Sequence, residues 1–143
     1  MDIRFQPASP NALNQLRSLG APESVVAFYA EYEPEDMMEG SVRLTSIEGM
    51  MIENQQAVPG YRVQPHGYIV FATSDCGDGY CFDTNRIDAE GRPCIVIASH
   101  ETAEDIETAE QAAAMVQMVA PHLLSFLERM LDGNMAVYDY EKT

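Results

Sequence analysis

The stretch that most constrains this chain is His66 to Asp83, HGYIVFATSDCGDGYCFD. Tyr68 to Thr73 is a run of apolar and β-branched residues, and Tyr80 to Asp83 is a shorter one. Between them Ser74-Asp75-Cys76-Gly77-Asp78-Gly79 gathers small, turn-forming residues, with Gly77 and Gly79 free to take positive φ. The pattern predicts a β-hairpin. Tyr68, Val70 and Ala72 alternate with Ile69 and Phe71, so both faces of the first strand are apolar and both require cover. It reads as the central strand of the only sheet.

The segments on either side follow from local punctuation. Ser9-Pro10 supplies a capping oxygen and a proline pre-set for a first helical turn, Leu13 and Leu16 give a buried stripe, and Gly20 is a stop. Pro22-Glu23 opens a second helix whose Val25, Phe28, Tyr29 and Tyr32 share one side and which ends before Pro34. Together these predict an N-terminal helical hairpin. Glu33 to Gly40 reads as a polar connection, Val42 to Thr45 as a half-buried edge strand, and Ser46 as the cap of a short helix to Gln56 that Gly49 weakens by ~1 kcal/mol. Val58 to Pro65 reads as a loop, and Cys94 to Ala98 as a third buried strand.

Ala109, Ala112, Ala113, Val116, Ala120, Leu123, Leu127 and Leu131 keep one face at helical spacing, which predicts a long C-terminal helix. Pro121 lacks an amide proton and crowds the preceding turn, so a kink or break is expected near Ala120. Asp132-Gly133-Asn134 ends the helix, and Met135 to Thr143 adds a final short strand or frays. The expected fold class is α+β: one domain over residues 1–143, with a small, mainly antiparallel sheet flanked by helices.

Charge narrows the function. The 23 acids against 8 basic residues give a net charge of −15, which disfavours nucleic acid and anionic membrane as partners because both require a positive field. No Lys or Arg occurs between Arg17 and Arg43, or between Arg92 and Arg129, and acids crowd both spans. No apolar run approaches the ~20 residues of a membrane span, and Met1 to Phe5 lacks a signal-peptide core. With an odd number of cysteines, these features lead us to expect a cytoplasmic location.

Chemistry-bearing residues form no recognised constellation. Cys76 and Cys81, with His66 and His100, lack the second ligand pair of a zinc site. Asp75, Asp78 and Asp83 have the wrong spacing for a calcium loop and suit turn-backbone hydrogen bonding instead. Cys81 with His100 is the one nucleophile pair to consider, but no orienting group or oxyanion site accompanies it. No catalytic, metal or cofactor role is therefore expected.

The order of elements, with Leu19-Gly20-Ala21-Pro22 and Phe28-Tyr29, Arg43-Leu44 with Ser46-Ile47, Asn54, and Ile69-Val70-Phe71-Ala72, resembles the SUKH superfamily. Asp75, Gly77-Asp78, Phe82-Asp83, Ile95-Val96, Ser125-Phe126-Leu127 and Met130-Leu131 extend the resemblance from about Leu13 to Leu131. The superfamily comprises fungal cell-wall assembly regulators and bacterial toxin-immunity proteins. Two departures stand out: Tyr32-Glu33-Pro34-Glu35 replaces an Asn-Gly-Gly-like turn, and there is no tryptophan. The resemblance implies a non-enzymatic domain that binds another protein, often a toxin such as a nuclease. A basic toxin domain would meet acids such as Glu35, Asp36, Glu104 and Asp105 in place of substrate phosphates. The alternative is an intracellular scaffold or adaptor without a toxin partner.

Overall fold

A computed structural model describes residues 4–140. Strands β1 (Phe5–Gln6) and β2 (Glu33–Pro34) pair as a small antiparallel sheet around helices α1 (Pro10–Ser18) and α2 (Glu23–Glu31). The main sheet holds six antiparallel strands in sequence order: β3 (Met37–Glu39), β4 (Val42–Leu44), β5 (Tyr68–Ser74), β6 (Gly79–Ile87), β7 (Pro93–Ala98) and β8 (Gln117–Ala120). Helices α3 (Ile47–Gln56) and α4 (Gly60–Val63) lie between β4 and β5, α5 (Ala109–Met115) precedes β8, and α6 (Leu123–Leu131) follows it. The fold class is α+β.

Local signals account for most element starts. Ser9 Oγ accepts the Ala12 N–H at 3.1 Å, and Gly20 at φ 92° follows the end of α1. At α3 three oxygens share the unpaired amides of the first turn: Asp36 Oδ1 takes the Ser46 N–H at 2.7 Å, Glu33 Oε2 that of Ile47 at 2.8 Å, and Ser46 Oγ that of Gly49 at 3.2 Å. Gly49 is required by packing, since a Cβ there would sit 2.9 Å from Thr45 Cβ and 3.0 Å from Asp36 Oδ1.

The core is centred on β5, β7 and the first half of β6, Gly79 to Asp83, whose residues are almost all buried. Phe71 stacks on Phe82 with centroids 4.2 Å apart, Phe126 of α6 meets Phe71 edge-on at 5.0 Å, and Tyr29 of α2 meets Phe82 at 6.4 Å. Tyr80 lies beside the same Phe126 at 5.1 Å, so α2 and α6 cover one face of the hairpin. On the other face a Cβ on Gly79 would lie 3.0 Å from Val70 and 3.1 Å from Pro59. Gly79 thus serves close packing, and positive φ in this turn belongs to Gly77 alone, at 91°.

Several expectations are corrected. The main sheet is one of two, and β4 is internal because β3 lies outside it, within the span read as a polar connection. The span 58–65, read as a loop, holds α4 and runs into a 3₁₀ turn, Gln64–His66. The long C-terminal helix does not form: α5 and α6 are separated by β8. Pro121 drives Ala120 away from helical φ/ψ, Val116 and Val119 favour extended backbone, and β7 offers a free edge on which Ala120, Met118 and Gln117 pair. Beyond α6 the chain crosses back without forming a strand, tied by Tyr80 Oη to the Ala136 carbonyl at 2.9 Å and by two bonds between the Gln117 amide and the Asp139 backbone. Residues 141–143 of the expected final segment lie outside the described residues.

Candidate protein-binding surface

The charged surface is shaped by how few cations it holds. Arg17 pairs with Glu23 at 3.3 Å, Arg62 with Glu104 at 3.5 Å, Arg86 with Asp83 at 2.9 Å, and Arg92 with Asp88 at 2.9 Å and Glu90 at 3.1 Å. Asp88 also accepts the backbone amides of Glu90 and Arg92, and these bonds hold its carboxyl below the ordinary range. Among the described residues no arginine pairs with the exposed Glu31, Glu35, Asp105, Glu107 or Glu110.

The four acids singled out by sequence fall on two elements. Glu35 and Asp36 precede β3 at one edge of the sheet, whereas Glu104 and Asp105 belong to a 3₁₀ turn after β7 that packs near α4. Glu35 and Asp105 are exposed. Asp36 is committed to the start of α3, and Glu104 to Arg62 and to the Tyr61 hydroxyl, 3.4 Å from each carboxylate oxygen.

At the hairpin turn the Asp78 carboxylate is buried and does not bond its own turn, contrary to expectation. Its Oδ1 accepts the His100 backbone N–H at 2.9 Å and the Tyr140 hydroxyl at 3.0 Å, and lies 2.7 Å from His100 Nδ1. It therefore locks the β5–β6 turn to the end of β7 and to the returning C-terminal segment. The Cys81 thiol is buried and directed at the Gly79 carbonyl, and burial raises its pKa strongly. Cys76 is exposed, with a pKa raised first by the neighbouring Asp75 carboxylate. Among the described residues no group of three or more His, Cys, Asp or Glu side chains is placed to hold a metal ion, and no helix is long and apolar enough to cross a membrane.

The sequence reading missed an apolar face. Tyr32, read as part of a buried stripe, is exposed beside Phe5, and both rings pack on the half-buried Phe28, which rests against the core: the three ring centroids are 6.4, 6.1 and 5.4 Å apart. Phe28 is also one wall of a concave pocket of about 220 Å³ between α2 and α6, completed by Ser24, Val25, Arg92, Pro93, His122, Leu123 and Leu124. Tyr32 is 48% exposed and Leu124 51%. Only the i, i+4 spacing of Phe28 on α2 and Tyr32 just past its end hinted at this face.

A family model described as SMI1 / KNR4 family (SUKH-1) matches residues 7–129. No curated protein matches the sequence.

Proposed function

Because the chain belongs to the SMI1 / KNR4 family (SUKH-1), we propose that it is a non-enzymatic protein-binding domain, an immunity protein that neutralises a toxin by covering its active surface. The observation that carries this reading is the acid excess left after internal pairing. Among the described residues four of the seven arginines, Arg17, Arg62, Arg86 and Arg92, are paired with acids inside the fold, and exposed carboxylates outnumber the cations at both the approach to β3 and the 101–110 segment. A net charge of −15 creates a long-range field that speeds encounter with a cationic partner and repels anionic ones.

In this mechanism Glu35 and Asp105, with Asp36 and Glu104 at their sides, steer a basic domain such as a nuclease, standing where its substrate phosphates would lie. Apolar contacts then set the lifetime of the complex, since rim charges act mainly on association. The domain works inside the cell that makes the toxin and needs no cofactor.

A growth assay tests the reading. Genes for basic secreted proteins from the native genome are expressed one at a time in a susceptible host, with and without this chain. Restored growth with one of them supports immunity. A chain that binds several cellular proteins and rescues growth with none is an adaptor of the same fold.

A further inference from the structure

The exposed Phe5 and Tyr32 and the pocket between α2 and α6 are joined through the half-buried Phe28, so they form one apolar strip running from Phe5 and Tyr32 to Leu124. Scattered exposed apolar side chains are ordinary on a protein surface, but a contiguous strip of this kind marks an interaction site. The strip is also rigid. Tyr29, on the inner side of α2, packs edge-on against Phe82 and its carbonyl accepts the Ala8 N–H at 3.3 Å, while Ser24 Oγ donates to the Gly91 carbonyl at 2.6 Å. Such a surface loses little freedom on binding.

Charge identifies what covers it. Exposed Glu31 is the last residue of α2, next to Tyr32, and exposed Glu35, whose backbone N–H donates to the Arg4 carbonyl, joins it in outnumbering the one cation beside Phe5 among the described residues, the exposed Arg4. The pocket's one cation, Arg92, is held by Asp88 and Glu90. A second copy would bring a further −15 against this acidic rim, and an anionic membrane would be repelled in the same way.

We infer that this strip is the docking face for a cationic protein segment, in which an apolar anchor enters the pocket at Leu124 and Arg or Lys side chains lie against Glu31, Glu35 and the faces of Tyr32 and Phe5. The inference rests on the protein-binding reading above and adds where the partner sits and which chemistry it presents. The aromatic rings accept both the apolar stem and the cation of an arginine, and the central apolar anchor with a charged rim is the usual anatomy of an interface.

The test uses the full ¹⁵N-labelled chain and three synthetic 12-residue peptide pools: one combining Arg with Leu and Phe, one with Glu replacing Arg, and one with Gly replacing the apolar residues. Only the first pool should bind, shifting the amides of Phe28, Tyr32 and Leu124. Tyr32→Ala and Leu124→Asp, both at exposed side chains, should each weaken binding at least tenfold, whereas Glu48→Gln on α3 should change it less than twofold. Shifts centred on residues 101–110 would remove this face while leaving the protein-binding reading intact. Binding insensitive to both variants, binding by no pool, or a dimer in sedimentation that Leu124→Asp dissolves would each overturn the inference, and the growth assay judges the broader reading separately.

Discussion

Asn54 takes the place of a neighbouring strand for Val70: its Oδ1 accepts the Val70 N–H at 2.8 Å, and its Nδ2 donates to the Val70 carbonyl at 2.8 Å. Strand β4 pairs with β5 only from Ser74 to Ala72, so without the amide side chain both backbone groups of Val70 would be buried without partners. The pairing of β5 with β6 shifts register beside it, between Val70 and Ala72. Nδ2 also donates to the Met50 carbonyl at 2.8 Å, which fixes α3 to the sheet. Asn54→Ala should cost about 3 kcal/mol, because two buried groups lose their partners at ~1–3 kcal/mol each and some relaxation recovers part of this. Urea denaturation measures it, and a loss below about 1 kcal/mol would mean that water replaces the amide.

Gly49→Ala separates helix propensity from packing. In an open helix the change would stabilise by about 1 kcal/mol. The close approach of Thr45 Cβ, at 2.9 Å, and the Asp36 carboxylate that caps the same turn reverse the sign. The variant should melt several degrees lower than the parent, and a higher melting temperature would show that Thr45 gives way.

Thiol reactivity should divide the three cysteines. Cys81 is enclosed and Cys94 almost so, and burial raises both pKa values, so neither should label before unfolding. Cys76 should label in the native protein, but slowly, since the Asp75 carboxylate raises its pKa. Asp75→Asn should speed labelling several-fold at pH 8. Equal native rates for Cys81 and Cys76 would contradict the packing of β6 against β5.

Alkaline stability carries the signature of buried phenols. Burial, with Asp78 adding to it, pushes the Tyr80 phenol from its ordinary 10 up to about 12. The unfolded chain therefore ionises first. The stabilisation is complete below about pH 10 and is lost progressively as pH rises toward 12, because the folded state then holds more protons than the unfolded one. Tyr80→Phe should flatten that slope while removing one hydrogen bond to Ala136, worth about 1 kcal/mol at neutral pH. Denaturation midpoints from pH 8 to 11 measure the slope, and an unchanged slope in the variant would place the titration elsewhere.

What the sequence made legible was local. Ser9-Pro10, Pro22-Glu23 and Ser46 mark helix starts with side chains that act within one turn, and the apolar runs of β5, β6 and β7 require burial on both faces. Strands β3 and β8 were not legible because each is an edge whose conformation is stabilised by the strand it meets; residues 109–131 carry helical spacing throughout, and only Pro121 betrays the interruption. Asp78 was read within its own turn, yet its partners lie at His100 and Tyr140, far along the chain. The acids were visible in composition, but not their division between capping, as at Asp36, and solvent, as at Glu35 and Asp105. Phe28 and Tyr32 carried a helical periodicity that does not say which of two apolar sides faces the core.

The measurement that bears most directly on the proposed function is affinity purification of the tagged chain from its native cell, with mass spectrometry of what remains after a high-salt wash. Steering weakens as salt screens the field over roughly 8–10 Å, while an apolar contact survives it. The account predicts one basic protein, retained at equal stoichiometry. Recovery of several weakly held proteins, or of a partner that is itself acidic, would contradict it.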